Sequence, residues 1–589
     1  MTPPLFADGL APSLLFICGA LLIPLLSGRI KQAWLLLMPL VALWTLWEMP
    51  AGEHWVYGML DYRLVLGRID ALSRVFGIIF GLMALIGAVY ALQVNDDLQY
   101  MAGFVYAGGA LGVTLAGDWF SLYLFWEVMA VASTFLILAR RTPASRRAAV
   151  RYILVHVFGG LSLLAGIVLR HAGGADLTVG PMALDGLASG LIFLGIAVNA
   201  AVPPLHAWLQ DAYPEATVAG AVFLSAFTTK SAVYVMARTF AGAEILVWLG
   251  AVMTILPVFY AEVENDIRRV LSYSLMNQVG FMLCGIGIGT ELAINGAVSH
   301  AFCHILYKAL LFMSAGAVLH VTGKITCTDI GGLYRTMPVT CLMCLVGAAS
   351  ISAFPLFSGF VSKSMIISAA GVNHLGAVWL MLQFASAGVI AHAGIKVPFF
   401  TFFGHDAGLK AKEPPLNMLL AMAMAAFGCL FIGVCPQPLY ALLPYPVHYV
   451  PYTGAHVVGQ LQLLLFAIFA FYLLLKSGYY PSEVRAINLD ADWFYRKGAA
   501  GFYRAVDAGF NGLNRWCEQR LVQSPARLGA RLAFLGPARL AVAALERLRW
   551  RPHGEDEASC GKALESGTVR LGAHAAAAAL FLVLIYLVG

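Results

Sequence analysis

The chain has 589 residues, of which 60% are hydrophobic and 12% charged, against about 25% charged in an ordinary soluble domain. Lys and Arg total 37, Asp and Glu total 31, and the net charge is +6. A surface so poor in charge excludes a soluble enzyme, a disordered protein and a nucleic-acid binder, and the small positive balance reads as a membrane orientation signal.

Apolar runs of about 20 residues, enough to cross a bilayer as a helix, recur along nearly the whole chain. The expected fold is therefore an all-α polytopic membrane protein, not a barrel, with about 16 transmembrane helices. In chain order the spans are expected near 11–28, 33–50, 71–93, 100–116, 119–139, 149–170, 187–209, 217–239, 243–261, 269–287 and 292–320. They continue near 338–371, 374–403, 415–436, 457–476 and 571–588. Met1–Leu10 lacks a basic segment, so the first run reads as a retained span and not as a cleaved signal. The run at 338–371 contains Pro355 and Gly359 and reads as two half-helices; a second break is expected at Pro203–Pro204. Spans over 100–240 and 241–405 make two sets of five, each with its fourth member broken. That is the pattern of two inverted repeats around a midplane path. Residues 1–99 and 406–476 supply N-terminal and C-terminal helices, and 571–589 a last span.

Basic residues in the loops set the orientation. Arg29 and Lys31; Arg140, Arg141, Arg146, Arg147 and Arg151; Arg268 and Arg269; Lys324 and Arg335; and Lys410 and Lys412 all fall on one side, and the loops at 172–186, 288–291 and 437–456 contain no Lys or Arg. This predicts that both termini lie outside. Asp96 and Asp97 run against the bias. Residues 477–570 interleave Arg496, Arg504, Arg515, Arg520, Arg527 and Arg531 with Trp493, Phe502, Phe510, Leu513 and Leu528. They read as amphipathic helices on the cytoplasmic membrane surface, broken near Pro525 and Pro537; a small soluble domain is the alternative. The ten cysteines lie mostly in apolar runs, among them Cys18, Cys284, Cys303 and Cys429, and the Cys341/Cys344 pair has no companion pair. They read as small buried hydrophobes.

Ionisable residues inside spans are costly and mark functional sites. Glu127 stands in mid-apolar context and suits a proton carrier, or else a helix–helix hydrogen bond. Lys230 is flanked by apolar residues on both sides; snorkelling to an interface is the alternative. His300, His304 and Lys308 recur every four residues on one helix face. They suit a water-linked proton relay; hydrogen bonding, or zinc without the usual glutamate, are the other readings. Lys363 sits beside the Pro355/Gly359 break, at the end of an ion path or as an interfacial anchor. Lys396, near an inner edge, is left between the two roles.

Several motifs carry a family resemblance. Asn199-Ala-Ala-Val-Pro-Pro-Leu-His-Ala-Trp-Leu-Gln-Asp-Ala-Tyr213 resembles the K-x-x-x-x-P-L-H-x-W-L-P-D-A signature of the proton-translocating antiporter-like subunits. These are shared by Mrp-type Na+/H+ antiporters, NADH:quinone oxidoreductases and membrane-bound hydrogenases. Asp70 to Ser73, Trp126–Glu127, Asp266 to Ser274, His304 with Lys308 to Phe312, Gly331 to Leu333 with Met337–Pro338, and Gly359 to Lys363 follow in family order over roughly 60–405. The resemblance implies a chain of polar residues and water across the bilayer midplane, here Glu127, Lys230, His300, His304, Lys308 and Lys363. The lysine expected on the first broken helix is Asn199, which cannot take up or release a proton at physiological pH; Lys230 or His206 would have to substitute, or the first half is altered or silent. Gln210 also replaces the signature's proline.

The implied function is the proton-conducting subunit of a multi-subunit monovalent cation/proton antiporter, of the D-like Mrp type. Its partners would be other membrane subunits, the lipid bilayer, protons and a cation, Na+ by the resemblance. The alternatives are the pumping arm of a quinone oxidoreductase or hydrogenase, a transport-silent structural subunit, and the energising subunit of an inorganic-carbon uptake complex. With no P-loop, dinucleotide fingerprint or iron–sulfur cysteine set, no catalytic residue, cofactor or metal is expected in this chain, and any redox step would belong to partners.

Overall fold

Long apolar stretches punctuated by Pro, Gly and Asp or Thr caps fold here as helices packed on helices. The computed structural model describes residues 10–530, apart from 482, 486 and 487, together with residue 547. The expected last span at 571–588, together with Arg531 and Pro537, lies outside the described residues.

In chain order come α1 (Pro12–Leu22), α2 (Gly28–Glu48), β1 (Gly52–Met59), β2 (Tyr62–Ile69), α3 (Ala71–Ala91), α4 (Asp97–Leu115), α5 (Trp119–Leu138) and α6 (Pro143–Ala172). Then follow α7 (Leu187–Asn199), α8 (Ala207–Ala212), α9 (Val218–Ala226), α10 (Thr228–Thr239), α11 (Glu244–Val263), α12 (Ile267–Ile288) and α13 (Glu291–Thr322). The membrane unit continues with α14 (Pro338–Ile351), α15 (Ser358–Val372), α16 (Gly376–Val389), α17 (Leu416–Val434), α18 (Gln437–Tyr440) and α19 (Gly454–Ser477). Taking α9 with α10, and α16 with its wide-turn continuation to Phe403, as one each, 11 of the described helices are long and apolar enough to cross a membrane. Pro12–Leu25, Leu187–Asn199 and Pro338–Ile351 are shorter apolar helices.

Burial ranks the helices. The apolar windows of α9–α10, α12 and α13 are each 94% buried, whereas that of α19 is 11% buried. The centre of the unit is thus built from the helices that carry Lys230, Ser274, His300, His304 and Lys308, and α19 lies at its edge.

The antiparallel hairpin of β1 and β2, with Gly52 opposite Ile69 and Met59 opposite Tyr62, was not expected from the sequence. It is tied down by Asp118, the N-cap of α5, whose Oδ2 accepts from Val65 N at 2.7 Å.

Two chain segments share an unusual construction. Asp118 and Asp266 cap α5 and α12, and each forms an isolated β-bridge with a threonine beyond the next long helix, Thr178 and Thr326 respectively. Both broken helices also end alike. After Asn199 and after Ile351 the chain turns through an alanine at positive φ, Ala201 at 57° and Ala353 at 55°. Matching backbone bonds close both turns: Ala201 N to Val198 O and Val202 N to Ala197 O, then Ala353 N to Ser350 O and Phe354 N to Ala349 O. These are the paired bonds that finish a helix when the next residue goes left-handed. Pro203 and Pro355 follow and prevent the helix from continuing.

The acidic pair that opposed the loop charge bias is accounted for by pairing. Lys31 Nζ lies 2.6 Å from Asp97 and an Arg141 guanidinium nitrogen 3.1 Å from Asp96. Further pairs are Arg140 with Glu215 at 3.2 Å and the fork of Arg151 on α6 with Asp211 on α8 at 2.6 and 2.7 Å.

Among the described residues, those from Trp493 onward form a separate unit. The stretch read as one amphipathic element from 477 is therefore divided, because Gly478–Ala491 packs within the membrane unit. Helix α20 (Asp492–Val506) runs into a wide turn at Asp507–Asn511, then α21 (Gly512–Cys517), a second wide turn at Glu518–Gln523, and helix again to 530. The break expected near Pro525 is absent. The wide turn just before it already departs from the α-helical bond pattern, so the missing N–H of proline costs little there. Phe494, Phe502 and Phe510, each 72% exposed, leave an apolar face uncovered.

Candidate functional site

A buried polar line runs through the central helices. On α13, Lys308 Nζ donates to Ser274 Oγ of α12 at 2.9 Å. One turn back, His304 is fully buried with neither ring nitrogen hydrogen-bonded, and Tyr307 meets it edge-on at 5.2 Å between ring centroids. Another turn back, His300 Nε2 lies 3.1 Å from Gln278 Oε1, which also accepts from the Tyr307 hydroxyl at 3.1 Å. His300 Nδ1 reaches Ser362 Oγ on α15 at 3.1 Å. The next residue, Lys363, donates from Nζ to the carbonyl of Ile351 at 2.9 Å and stands over the Phe281 ring at 5.3 Å.

This order follows from local sequence. A four-residue spacing on α13 stacks His300, His304 and Lys308 on one face, and α12 answers with Gln278 and Ser274, also four apart. The break between α14 and α15 leaves Ile351 as the last residue of a half-helix, with a carbonyl that has no helical donor. Lys363 supplies that donor, and its cation sits where a helix C-terminus favours positive charge.

Lys230 is placed by a kink that the sequence reading did not anticipate. Phe227 interrupts the helix between α9 and α10. The Thr228 N–H is taken by the Tyr106 hydroxyl at 2.9 Å, and Lys230 Nζ donates to the carbonyl of Ser225 at 2.7 Å.

The other candidates are set apart from this line. Glu127 Oε1 is buried without a hydrogen-bond partner and occupies the place a side chain on Gly160 of α6 would take. Asn199 is fully buried at the end of α7, with neither amide atom hydrogen-bonded. His206 and Lys396 both face the segment Gly478–Ala491. His206 Nε2 lies 3.0 Å from Asp490 Oδ1, and the Tyr273 hydroxyl donates to Asp490 Oδ2 at 2.8 Å. Lys396 Nζ donates to the Glu264 carbonyl at 2.8 Å and lies 2.9 Å from Glu483 Oε1. Lys396 ends a wide-turn stretch, Ile390–Lys396, of the kind that often marks functional sites in helices.

Burial acts to raise the Asp490 carboxyl, but the His206 imidazole, the Ala491 N–H and the Tyr273 hydroxyl outweigh it and hold it below its ordinary value. Glu483 is shifted the other way: burial raises its carboxyl, and Lys396 offsets that only in part.

Sequence reasoning missed Gln278, Tyr307, Ser362, Glu483 and Asp490, and two buried histidines, His156 and His392. The histidines were findable, being lone imidazoles in apolar runs. The strap carboxylates carried no such signal, because charges are ordinary in a polar segment. Among the described residues no group of three or more His, Cys, Asp or Glu side chains converges as metal ligands.

Residues 116–391 match the family described as NADH:quinone oxidoreductase/Mrp antiporter, TM. The chain is 29% identical over 389 residues to the D subunit of the Na(+)/H(+) antiporter of Alkalihalophilus pseudofirmus, covering 62% of this chain and 78% of that one. It is 28% identical over 417 residues to the A1 subunit of the Na(+)/H(+) antiporter of Staphylococcus haemolyticus, covering 62% of this chain; the match spans about half of that relative, 52%. Among solved structures, the Mrp complex from Dietzia sp. DQ12-45-1b contains a chain of the same fold. The TM-score is 0.75 at 24% identity, over 92% of this chain and 63% of that one.

Proposed function

We propose, for a chain whose residues 116–391 belong to the NADH:quinone oxidoreductase/Mrp antiporter membrane family, that it is a proton-conducting subunit of a multi-subunit monovalent cation/proton antiporter. The observation that carries this reading is the line Lys308–His304–His300–Lys363, fully buried at the centre of the unit and supported by Ser274, Gln278, Tyr307 and Ser362. Buried charged and imidazole groups are expensive in a membrane and are retained where ions or protons pass. Each link can give up or accept a proton, and His304, with both nitrogens unbonded, is positioned for water on either side.

In this reading Glu127 and Lys230 belong to a first half and the α13–α15 line to a second. The matching Asp-to-Thr bridges and the matching ends of the two broken helices support two five-helix repeats, over 100–240 and 241–405, within about 16 spans. Lys396 with Glu483, and His206 with Asp490, close the face on which the basic loop residues gather. That face is the cytoplasmic one if both termini lie outside a bacterial inner membrane. The partners are other membrane subunits, and the cation is Na+ by likeness to the named relatives. The D-like assignment is favoured over an A1-like one by the share of relative covered, 78% against 52%. A redox-driven pumping arm is the second reading, favoured by the family description itself.

The test is transport by the assembly purified through a tag on this chain and reconstituted in vesicles. Addition of Na+ or K+ should collapse an imposed pH gradient, and Glu127→Gln should abolish the collapse. A gradient that responds to a quinone reductant and to neither cation would favour the second reading.

A further inference from the structure

The first half contains three features that the line from Lys308 to Lys363 does not use. Asn199 stands at the end of α7 with an amide that does not titrate and no partner for either of its polar atoms. His156 on α6 is buried, at 1% exposure, and neither ring nitrogen makes a hydrogen bond of good geometry; the Tyr152 carbonyl one turn back is the polar group in reach. Its ring stacks on Tyr152 at 4.0 Å and meets Trp208 edge-on at 4.6 Å. His206 has Nε2 on Asp490 and a buried Nδ1 with no partner.

The placement of these groups links them. Gly160 lies one turn beyond His156, on the same face of α6, and the Glu127 carboxylate fills the space above it. His156 is therefore four residues, about 6 Å of rise, from the place where Glu127 docks. On its other side His156 packs on Trp208, two residues from His206. An imidazole takes a proton at one nitrogen and releases another from the second, so a buried ring with unbonded nitrogens is suited to passing protons between waters. A carboxamide cannot do this.

Resting on the proton-conducting reading, we infer that the first half conducts on a histidine route, Glu127–His156–His206–Asp490, with water between the links, in place of a lysine on the broken helix. Asp490 ends the route; it fixes the orientation of His206 through Nε2, and the Tyr273 hydroxyl fixes Asp490 in turn. The strap Gly478–Ala491 then does more than cover the broken helix: it contributes the acid through which the first half exchanges protons with its face of the membrane.

The test uses the same purified assembly in vesicles, with co-purification of its partners as the measure of folding. His156→Gln and Asp490→Asn should each lower cation-driven proton flux by about tenfold or more, the scale on which losing one proton-transfer group is felt. The double variant His156→Gln/Asn199→Lys should recover flux, because a lysine at the break makes the histidine dispensable; a ring that only packs against Trp208 would not be rescued in this way. Full flux in both single variants while Glu127→Gln is silent overturns the histidine route and leaves the proton-conducting reading standing. Full flux in Glu127→Gln as well overturns both. If His156→Gln does not assemble, His206→Gln beside the strap decides the matter: reduced flux supports the route, and unchanged flux overturns it.

Discussion

Lys363 Nζ and the carbonyl of Ile351 are 2.9 Å apart across the break between α14 and α15. The lysine thus serves as the missing donor at the end of a half-helix as well as a buried charge. At the first break a neutral group, the Trp208 indole, donates to the Val198 carbonyl at 2.9 Å, which also takes the Ala201 N–H. Replacing Lys363 by Met keeps an unbranched chain, one heavy atom shorter, and removes the donor. An orphaned buried carbonyl costs about 1–3 kcal/mol, so the thermal midpoint of Lys363→Met should fall, with Lys363→Arg closer to wild type. Equal midpoints in all three would mean that another group satisfies Ile351.

Gly160 should be intolerant of a methyl group. The Cβ of Gly160→Ala would overlap Glu127 Oε1, and the carboxylate would have to move away from α6. Proton flux in Gly160→Ala should drop with assembly preserved, and combining it with Glu127→Gln should add no further loss. Additive losses would separate the two positions.

The kink at Phe227 depends on Tyr106, whose hydroxyl accepts from the Thr228 N–H at 2.9 Å and pairs with the Thr228 hydroxyl at 2.6 Å. Tyr106→Phe leaves that N–H unsatisfied in the core. It should destabilise the chain by about 1–3 kcal/mol, read as a lowered thermal midpoint in detergent.

The strap should be sensitive to acid. The carboxyl of Asp490 is lower in the folded chain than its ordinary value near about 3.9. Its contribution is therefore complete above that ordinary value and is lost as pH falls through the lower folded value. Asp490→Asn should lower the thermal midpoint at neutral pH, and the gap to wild type should close below about pH 4. A gap that is constant with pH would assign the loss to packing.

How much of this was legible in the sequence depends on the kind of signal. The broken helices were readable, because Pro203 and Pro355 forbid helix continuation whatever surrounds them. His300, His304 and Lys308 were readable as a line because a four-residue spacing fixes one helix face. The kink at Phe227 was not, since nothing in Phe-Thr-Thr-Lys breaks a helix by itself; it exists because Tyr106, 122 residues away, takes the freed N–H. The same holds for Asp490, whose partner His206 is 284 residues away. The hairpin at 52–69 has no long apolar run, the signal that marks a span, and the helix through Pro525 survives because a wide turn precedes it. Contacts set by distant partners leave no local trace.

The measurement that bears most directly on the central claim is cation-driven proton flux in vesicles containing the assembled complex with Lys308→Ala or Lys363→Ala in this chain. Both positions are buried ends of one polar line, so both variants should assemble with their partners and lose flux by about tenfold or more. Wild-type flux in either assembled variant would contradict the account, because a proton path cannot lose its terminal carrier and run unchanged.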